Sequence, residues 1–327
     1  MINRRNFLKN SSMVAAGGLL AGNVNVANAA IGSAAQAKKN FGLQTYSLTV
    51  NERNGDREFS TDVPNGLKKV AQMGYSHLEL AGYGVRDGQA RIGAVPIAEF
   101  KKYAGDAGLE IRSTHVGHTN YTRGRDNRQQ ELDHWKRAFD EHKAIGCKYV
   151  IQPGEPPMRN TADVAFIGDL YNEIGKIANA AGVKFAYHNH SGEFQRVAPG
   201  GQEKLPFGRF PYGRIPEDAK MIYDGLIEAT DPSLVEFELD VYWAVMGMQD
   251  PVAYMKKYAK RIRVLHIKDV DVLGESGMMN FQKIFETAYA NGISDFFVEL
   301  ESVPAGMTQF IGVKGCADYL LKAPFVK

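Results

Sequence analysis

His188, Asp240, His266 and Glu299 each close a short apolar run, in the segments 185–190, 235–240, 263–269 and 296–301. Two imidazoles and two carboxylates form a donor set that suits Mn, Co, Zn or Fe better than Ca. Four protein donors leave positions open on such an ion for two vicinal oxygens of a substrate. An ion held this way acts as a Lewis acid: it polarises a carbonyl, or binds the enediolate formed when the neighbouring C–H loses its proton. The same four side chains can also cap strand ends by hydrogen bonds alone, and convergence in space separates the two readings.

Positioning such a set takes parallel strands whose C-terminal ends share one face, which is where a (β/α)8 barrel keeps its active site. The chain carries the matching punctuation. Amphipathic helical runs end in a small or polar residue and a glycine, after which an apolar strand begins, at Gly74, Gly108, Gly146, Gly182 and Gly292. The first four glycines lie 34, 38 and 36 residues apart. One strand–helix unit needs about 30 residues or more, so eight units fill the chain from residue 40 onward. Strands are expected at 41–47, 77–81, 110–115, 148–152, 183–188, 235–240, 262–267 and 295–300. Helices are expected between them at 62–73, 96–107, 127–145, 163–181, 217–229, 250–260, 280–291 and 308–321. An open doubly wound sheet alternates in the same way. No G-x-G-x-x-G follows the first strand, however, and polar residues end nearly every strand, which favours closure. The expected fold class is α/β, a single TIM barrel over residues 40–327.

Residues 1–30 read as a leader rather than as fold. Arg4-Arg5-Asn6-Phe7-Leu8-Lys9 is a twin-arginine pattern, followed by a weakly apolar run from Met13 to Leu20 and a small-x-small site at Ala27-Asn28-Ala29. The Gly17-Gly18 pair and interspersed asparagines make this run too polar to span a bilayer, so export to the periplasm is expected and a stable membrane anchor is not. Without Arg4, Arg5 and Lys9 the 39 basic residues become 36 against 37 acidic ones, and the formal charge falls from +2 to −1. Nucleic-acid binding needs a clustered basic excess, so the expected partners are small neutral or weakly charged ligands. Cys147 and Cys316 are the only cysteines, too few for a disulfide framework.

Seven motifs on successive strands carry a resemblance. They are Gly42-Leu43-Gln44-Thr45-Tyr46-Ser47, Leu78-Glu79-Leu80, Ser113-Thr114-His115, Tyr187-His188-Asn189-His190 with Glu193-Phe194, Glu238-Leu239-Asp240-Val241-Tyr242-Trp243, His266-Ile267-Lys268-Asp269 and Val298-Glu299. From about residue 40 to its end the chain resembles the sugar phosphate isomerase/epimerase family of xylose-isomerase-like barrels. The resemblance implies one divalent ion, Mn, Mg, Co or Zn, held by residues of strands five to eight. Asp240, His266 and Glu299 match the last three ligand places, and His188 stands at the first, where many relatives carry Glu. In epimerases of this family two glutamates exchange protons on the two faces of the substrate. Here Glu299 remains, and His190, which shares a strand face with His188, can replace the missing base.

Other residues have two readings each. His115 and His118, ending the third strand, can act in acid–base chemistry or orient substrate, or else form barrel-mouth hydrogen bonds. Lys268 can reach a substrate oxygen, or pair with Asp269 or Asp271 at the surface. Glu79 can bind a substrate hydroxyl or buttress a nearby cation, and Trp243 can stack on a sugar ring or pack in the core. Between the fifth strand and its helix, Ser191 to Pro216 form a long loop in which Phe207, Phe210 and Tyr212 make a candidate lid and Arg209 and Arg214 candidate contacts to ring hydroxyls.

The function expected is a metal-dependent sugar or keto-sugar isomerase or epimerase, working by proton abstraction next to a carbonyl through a metal-bound enediolate. The alternative is a 3-keto-glycoside lyase that uses the same enediolate to expel the aglycone, and export suits it because sugar phosphates are intracellular. An endonuclease IV-like hydrolase fits less well, since Trp243 stands where that branch has a histidine. A non-catalytic sugar binder is the remaining class.

Overall fold

The structure is a computed structural model and describes residues 39–119, 124–154, 158–200 and 215–327. The expected leader and residues 201–214 of the expected lid, with Phe207, Arg209, Phe210, Tyr212 and Arg214, lie outside the described residues. Eight strands close in chain order into a parallel barrel: β1 (Gly42–Gln44), β2 (His77–Leu80), β3 (Glu110–His115), β4 (Tyr149–Gln152), β5 (Lys184–His188), β6 (Val235–Asp240), β7 (Ile262–Ile267) and β8 (Asp295–Val298). Gly42 pairs with both His77 of β2 and Phe297 of β8, which closes the ring. Eight helices alternate with the strands: α1 (Val63–Gln72), α2 (Ile97–Asp106), α3 (Arg128–Ile145), α4 (Thr161–Ala181), α5 (Ile222–Ala229), α6 (Pro251–Lys257), α7 (Phe281–Ala290) and α8 (Gln309–Lys322).

The five punctuating glycines all have positive φ, which lets each helix stop and the next strand start within a few residues. Side-chain caps start six of these eight helices, among them Asn127 accepting from Gln130 N and Asn160 from Asp163 N. Among the described residues, no helix is long and apolar enough to cross a membrane.

Several boundaries differ from expectation. β1 stops at Gln44 because Gln44 Oε1 accepts from Tyr46 N and the chain turns into a short helix, Tyr46–Thr49. α5 begins only at Ile222, since Lys220–Met221 first pairs antiparallel with Arg196–Val197. Between β2 and α2 a three-stranded antiparallel sheet, Tyr83–Arg86, Gln89–Ile92 and Val95–Pro96, replaces the expected plain loop. Its first turn is Asp87-Gly88, both with positive φ. A six-residue helix, Val241–Met246, follows β6 directly, with Asp240 as its N-cap.

The barrel interior is layered. Tyr149, Ile151, Ala186, Val264 and Phe297 form a buried apolar cluster separate from the large core between strands and helices. Two residues further along several of the same strands stand the polar side chains His188, His266 and Glu299, because alternate residues face the same side. The interior therefore changes from apolar to polar toward the mouth.

Packing outside the barrel is tight where α4 crosses β6. A Cβ at Gly175 would lie 2.4 Å from the Leu234 carbonyl oxygen, whereas one at Gly105 on the exposed side of α2 meets nothing within 4 Å. Gly175→Ala should therefore lower stability by about 1–3 kcal/mol through overpacking. Gly105→Ala should raise it by roughly 0.5–1 kcal/mol through helix propensity. Denaturant midpoints of the two variants check the opposite signs.

Candidate active site

One donor atom from each of His188, Asp240, His266 and Glu299 lies within 4.8 Å of the others, and all four residues are buried. β5, β6 and β7 supply the first three, and Glu299 directly follows β8. His266 Nδ1 is 3.8 Å from Asp240 Oδ2 and 3.4 Å from Glu299 Oε2. Asp240 divides its carboxylate: Oδ1 accepts from Trp243 N at 2.8 Å and so starts the helix after β6, while Oδ2 is buried with no hydrogen-bond partner. His266 Nδ1 is likewise buried and partnerless. Buried polar atoms are rarely left this way unless something binds them. Two such orphans of the right chemistry, facing each other, fit a divalent cation.

Beneath these donors lies a layer of imidazoles around two carboxylates, Glu79 and Glu238, that have no exposure to solvent. Glu79 Oε1 accepts from Gln44 Nε2 at 2.8 Å and faces His115 Nε2 at 3.0 Å and His266 Nε2 at 2.5 Å, while Glu79 Oε2 takes the Ser113 hydroxyl. Glu238 Oε2 stands 3.1 Å from His115 Nε2, 3.1 Å from His188 Nδ1 and 3.2 Å from His266 Nε2. The carboxylates thus hold the Nε2–H of His266 and the Nδ1–H of His188. That leaves His266 Nδ1 and His188 Nε2 as the nitrogens that could hold a cation, an arrangement that fixes ring tautomer and orientation.

The charges are strongly coupled. Burial works against ionisation of Glu79, but the His115 and His266 imidazoles outweigh it and hold its pKa well below the usual range. Burial also disfavours charge on His115, yet Glu79 and Glu238 raise its pKa to about 9. Burial, with Glu79 adding to it, raises Glu238 to about 7, and burial alone dominates the rise of Asp240 to about 7. Burial and neighbouring His266 keep His188 neutral, the form that ligates metal.

At the mouth, Lys268 is buried and bridges Glu299 Oε2 at 3.1 Å and Glu301 Oε2 at 2.6 Å. Burial opposes its charge, but Glu299, Asp240 and Glu301 together raise its pKa. Burial would protonate Glu299, but Lys268 and His266 prevail and keep it ionised. His190 stands 5.0 Å from the His188 ring and 5.5 Å from Trp243, measured between ring centroids. Burial lowers its pKa to about 4, so it is a neutral imidazole at physiological pH. Gly154 lies against it so closely that a Cβ there would come within 2.9 Å of His190 Nδ1. The Lys268 ammonium sits 5.5 Å from the Trp243 ring centroid, so this indole borders the site rather than the core.

Three expectations are corrected. Glu79 does not present itself to substrate: its oxygens are fully enclosed by protein donors, and it supports ligands instead. Lys268 does not pair with Asp269 or Asp271 at the surface, because burial turns it to Glu299 and Glu301. His118 is engaged with Glu131 Oε1 at 2.6 Å and packs on Trp135, so α3 holds it rather than the ligand group. Glu238, Gln44 and Ser113 belong to the site although sequence reasoning gave them no role. Alternation was the available signal, since Glu238 lies two residues before Asp240 on one strand.

Comparison with known proteins agrees with this architecture. A sugar phosphate isomerase/epimerase of known structure from Parabacteroides distasonis is 45% identical, with a TM-score of 0.77, covering 88% of this chain and 100% of its own. A second from the same organism is 41% identical, with a TM-score of 0.81, covering 90% and 100%. An inosose dehydratase from Geobacillus kaustophilus is 27% identical over 225 residues, and the match spans 63% of this chain and 62% of that relative's length. Residues 67–309 match the family model described as xylose isomerase-like TIM barrel. With the closed barrel and the donor set at its mouth, that match places the chain in the xylose isomerase-like TIM barrel family, to which it belongs.

Proposed function

We propose that the protein is a metal-dependent enzyme that removes a proton from the carbon beside the carbonyl of a sugar or keto-sugar, ending in isomerisation or epimerisation. The observation that carries this reading is the facing pair of buried, partnerless donors, Asp240 Oδ2 and His266 Nδ1, with His188 and Glu299 beside them. A divalent ion bound there, Mn, Co, Zn or Mg, would supply Lewis-acid polarisation of substrate oxygens. Glu299, kept ionised by Lys268, is the base for one face of the substrate. Lys268 stabilises negative charge developing on the adjacent oxygen. His190, neutral and beside the ligand group, takes or returns a proton on the other face. Trp243 offers a ring for a sugar face.

One observation favours a second reading. His188 stands where the resemblance implies a glutamate, so beside Glu299 the site offers the imidazole of His190 rather than a second equivalent carboxylate base. Such asymmetry suits elimination, in which the α-proton is lost, a β-carbon–oxygen bond breaks and the departing oxygen gains a proton. The similarity to an inosose dehydratase supports elimination from a keto-polyol. Export, if the segment at residues 1–30 acts as the twin-arginine leader its sequence suggests, would suit this reading too, because free sugars and glycosides are the substrates met outside the cytoplasm.

Metal-reconstituted protein incubated with free ketoses, inosose and 3-keto-glucosides in deuterated water should exchange the α-proton, followed by NMR. Epimer formation selects the first reading, release of water or an aglycone selects the second, and no exchange with any of them refutes both. Glu299→Gln should lower turnover by about 10²–10⁴-fold at saturating metal. His190→Ala should slow exchange while metal content stays at the wild-type level. Glu79→Gln, which weakens the hold on His266 Nε2–H, should cut metal affinity by roughly 10–100-fold, read by competition with a chelating dye.

A further inference from the structure

We infer that the sugar accepted by this site carries no phosphate, because at the ends of β7 and β8 the protein's own carboxylates and hydroxyls take backbone amides that would grip one, and acidic side chains line the space between. The inference rests on the reading of the site as a sugar enzyme. In barrels a phosphate is commonly held by the loops after the last two strands and the N-terminus of the helix that follows, through backbone N–H groups.

After β7 two of those amides, Val270 N and Gly274 N, are occupied. Asp269 Oδ1 accepts from Val270 N at 2.8 Å and also takes the Ser276 hydroxyl, while Asp269 Oδ2 accepts from Gly274 N at 3.0 Å. The loop is folded around an internal anion. After β8 a hydroxyl and a carboxylate do the same: Leu300 N donates to Ser47 Oγ at 2.9 Å, and at the start of α8 Gln309 N donates to Asp56 Oδ2 at 2.9 Å. Ile311 N completes the cap on Thr308 Oγ1.

Among the described residues, Lys268 and Lys314 beside these loops are also paired. Lys268 is buried between Glu299 and Glu301, and Lys314 pairs with Asp318 at 2.6 Å. Between the two loops a cavity of about 480 Å³ is lined by Asp271, Glu275 and Asp318 as well as by Lys314. Asp271 Oδ1 is buried there without a hydrogen-bond partner. A phosphate bringing nearly two negative charges would displace nothing favourable and would face three carboxylates. Repulsive elements of this kind discriminate between ligands as effectively as attractive ones.

Metal-loaded, full-length protein should be given one ketose and its phosphate ester at equal ionic strength, with α-proton exchange as the readout. The expected kcat/KM is at least ~10-fold higher for the uncharged sugar. An equal or higher value for the ester overturns the inference. If neither compound exchanges, the reading of the site fails, and calorimetric titration with inorganic phosphate still decides this point: millimolar or weaker binding supports it and micromolar binding refutes it. The double substitution Asp271→Lys with Glu275→Lys should strengthen phosphate binding by ~10-fold, lost again in high salt. The milder Asp271→Asn with Glu275→Gln should show a smaller gain. Unchanged affinity in both folded variants would remove the acidic loops as the cause and overturn the proposal.

Discussion

Two carboxylates buried away from solvent, Glu79 and Glu238, impose the conditions under which the rest of this barrel is built. A buried carboxylate is tolerated only when donors surround it, and Glu79 and Glu238 share theirs. Gln44 comes from β1, Ser113 and His115 from β3, His188 from β5 and His266 from β7, so four strands besides the two carrying the acids are committed at one depth, all but β4 and β8. Each imidazole that donates downward presents its other nitrogen to the mouth. The ligand geometry at the top is thus a consequence of charge compensation one layer below.

The backbone bears the mark of that demand. Pairing registers shift at two places around the barrel, between Leu78 and Glu79 against β3 and between Phe237 and Glu238 against β7. Both irregularities adjoin a buried carboxylate. Local bulges re-aim side chains, and here they bring the acids to the level of the imidazoles without moving the remainder of either strand. Asp240 carries a comparable double duty, since the oxygen that starts the helix after β6 also fixes the direction in which its other oxygen looks.

Much of the architecture was legible in the chain. Strand and helix order follows from apolar periodicity, and the glycines at 74, 108, 146, 182 and 292 mark helix ends because only a left-handed residue fits there. The Tyr83–Pro96 sheet went unread although Asp87-Gly88 is a strong hairpin signal, since a lone hairpin interrupts the strand–helix rhythm. The four ligand candidates were legible as strand-terminal polar residues. Depth was not: periodicity assigns Glu79 to the interior face but cannot tell a layer enclosed by donors from one open to substrate. The partners of Lys268 were hidden for a similar reason, because Glu301 reaches it across a turn that sequence does not specify.

The seam between the first and last units has a bearing on how the chain folds. Ser47 bonds to Leu300, Asp56 to Gln309 and Lys39 to the carbonyl of Leu320, contacts separated by 253, 253 and 281 residues. Loop-closure entropy for such pairs grows only as the logarithm of the separation, so length alone is no obstacle at equilibrium. Time is the cost. On a ribosome the N-terminal strand waits with one edge unpaired until the last helix has emerged, and a sheet edge in that state is open to pairing with other chains. Barrel closure is therefore a late, non-local event, and the interval before it is when this protein is most exposed to aggregation.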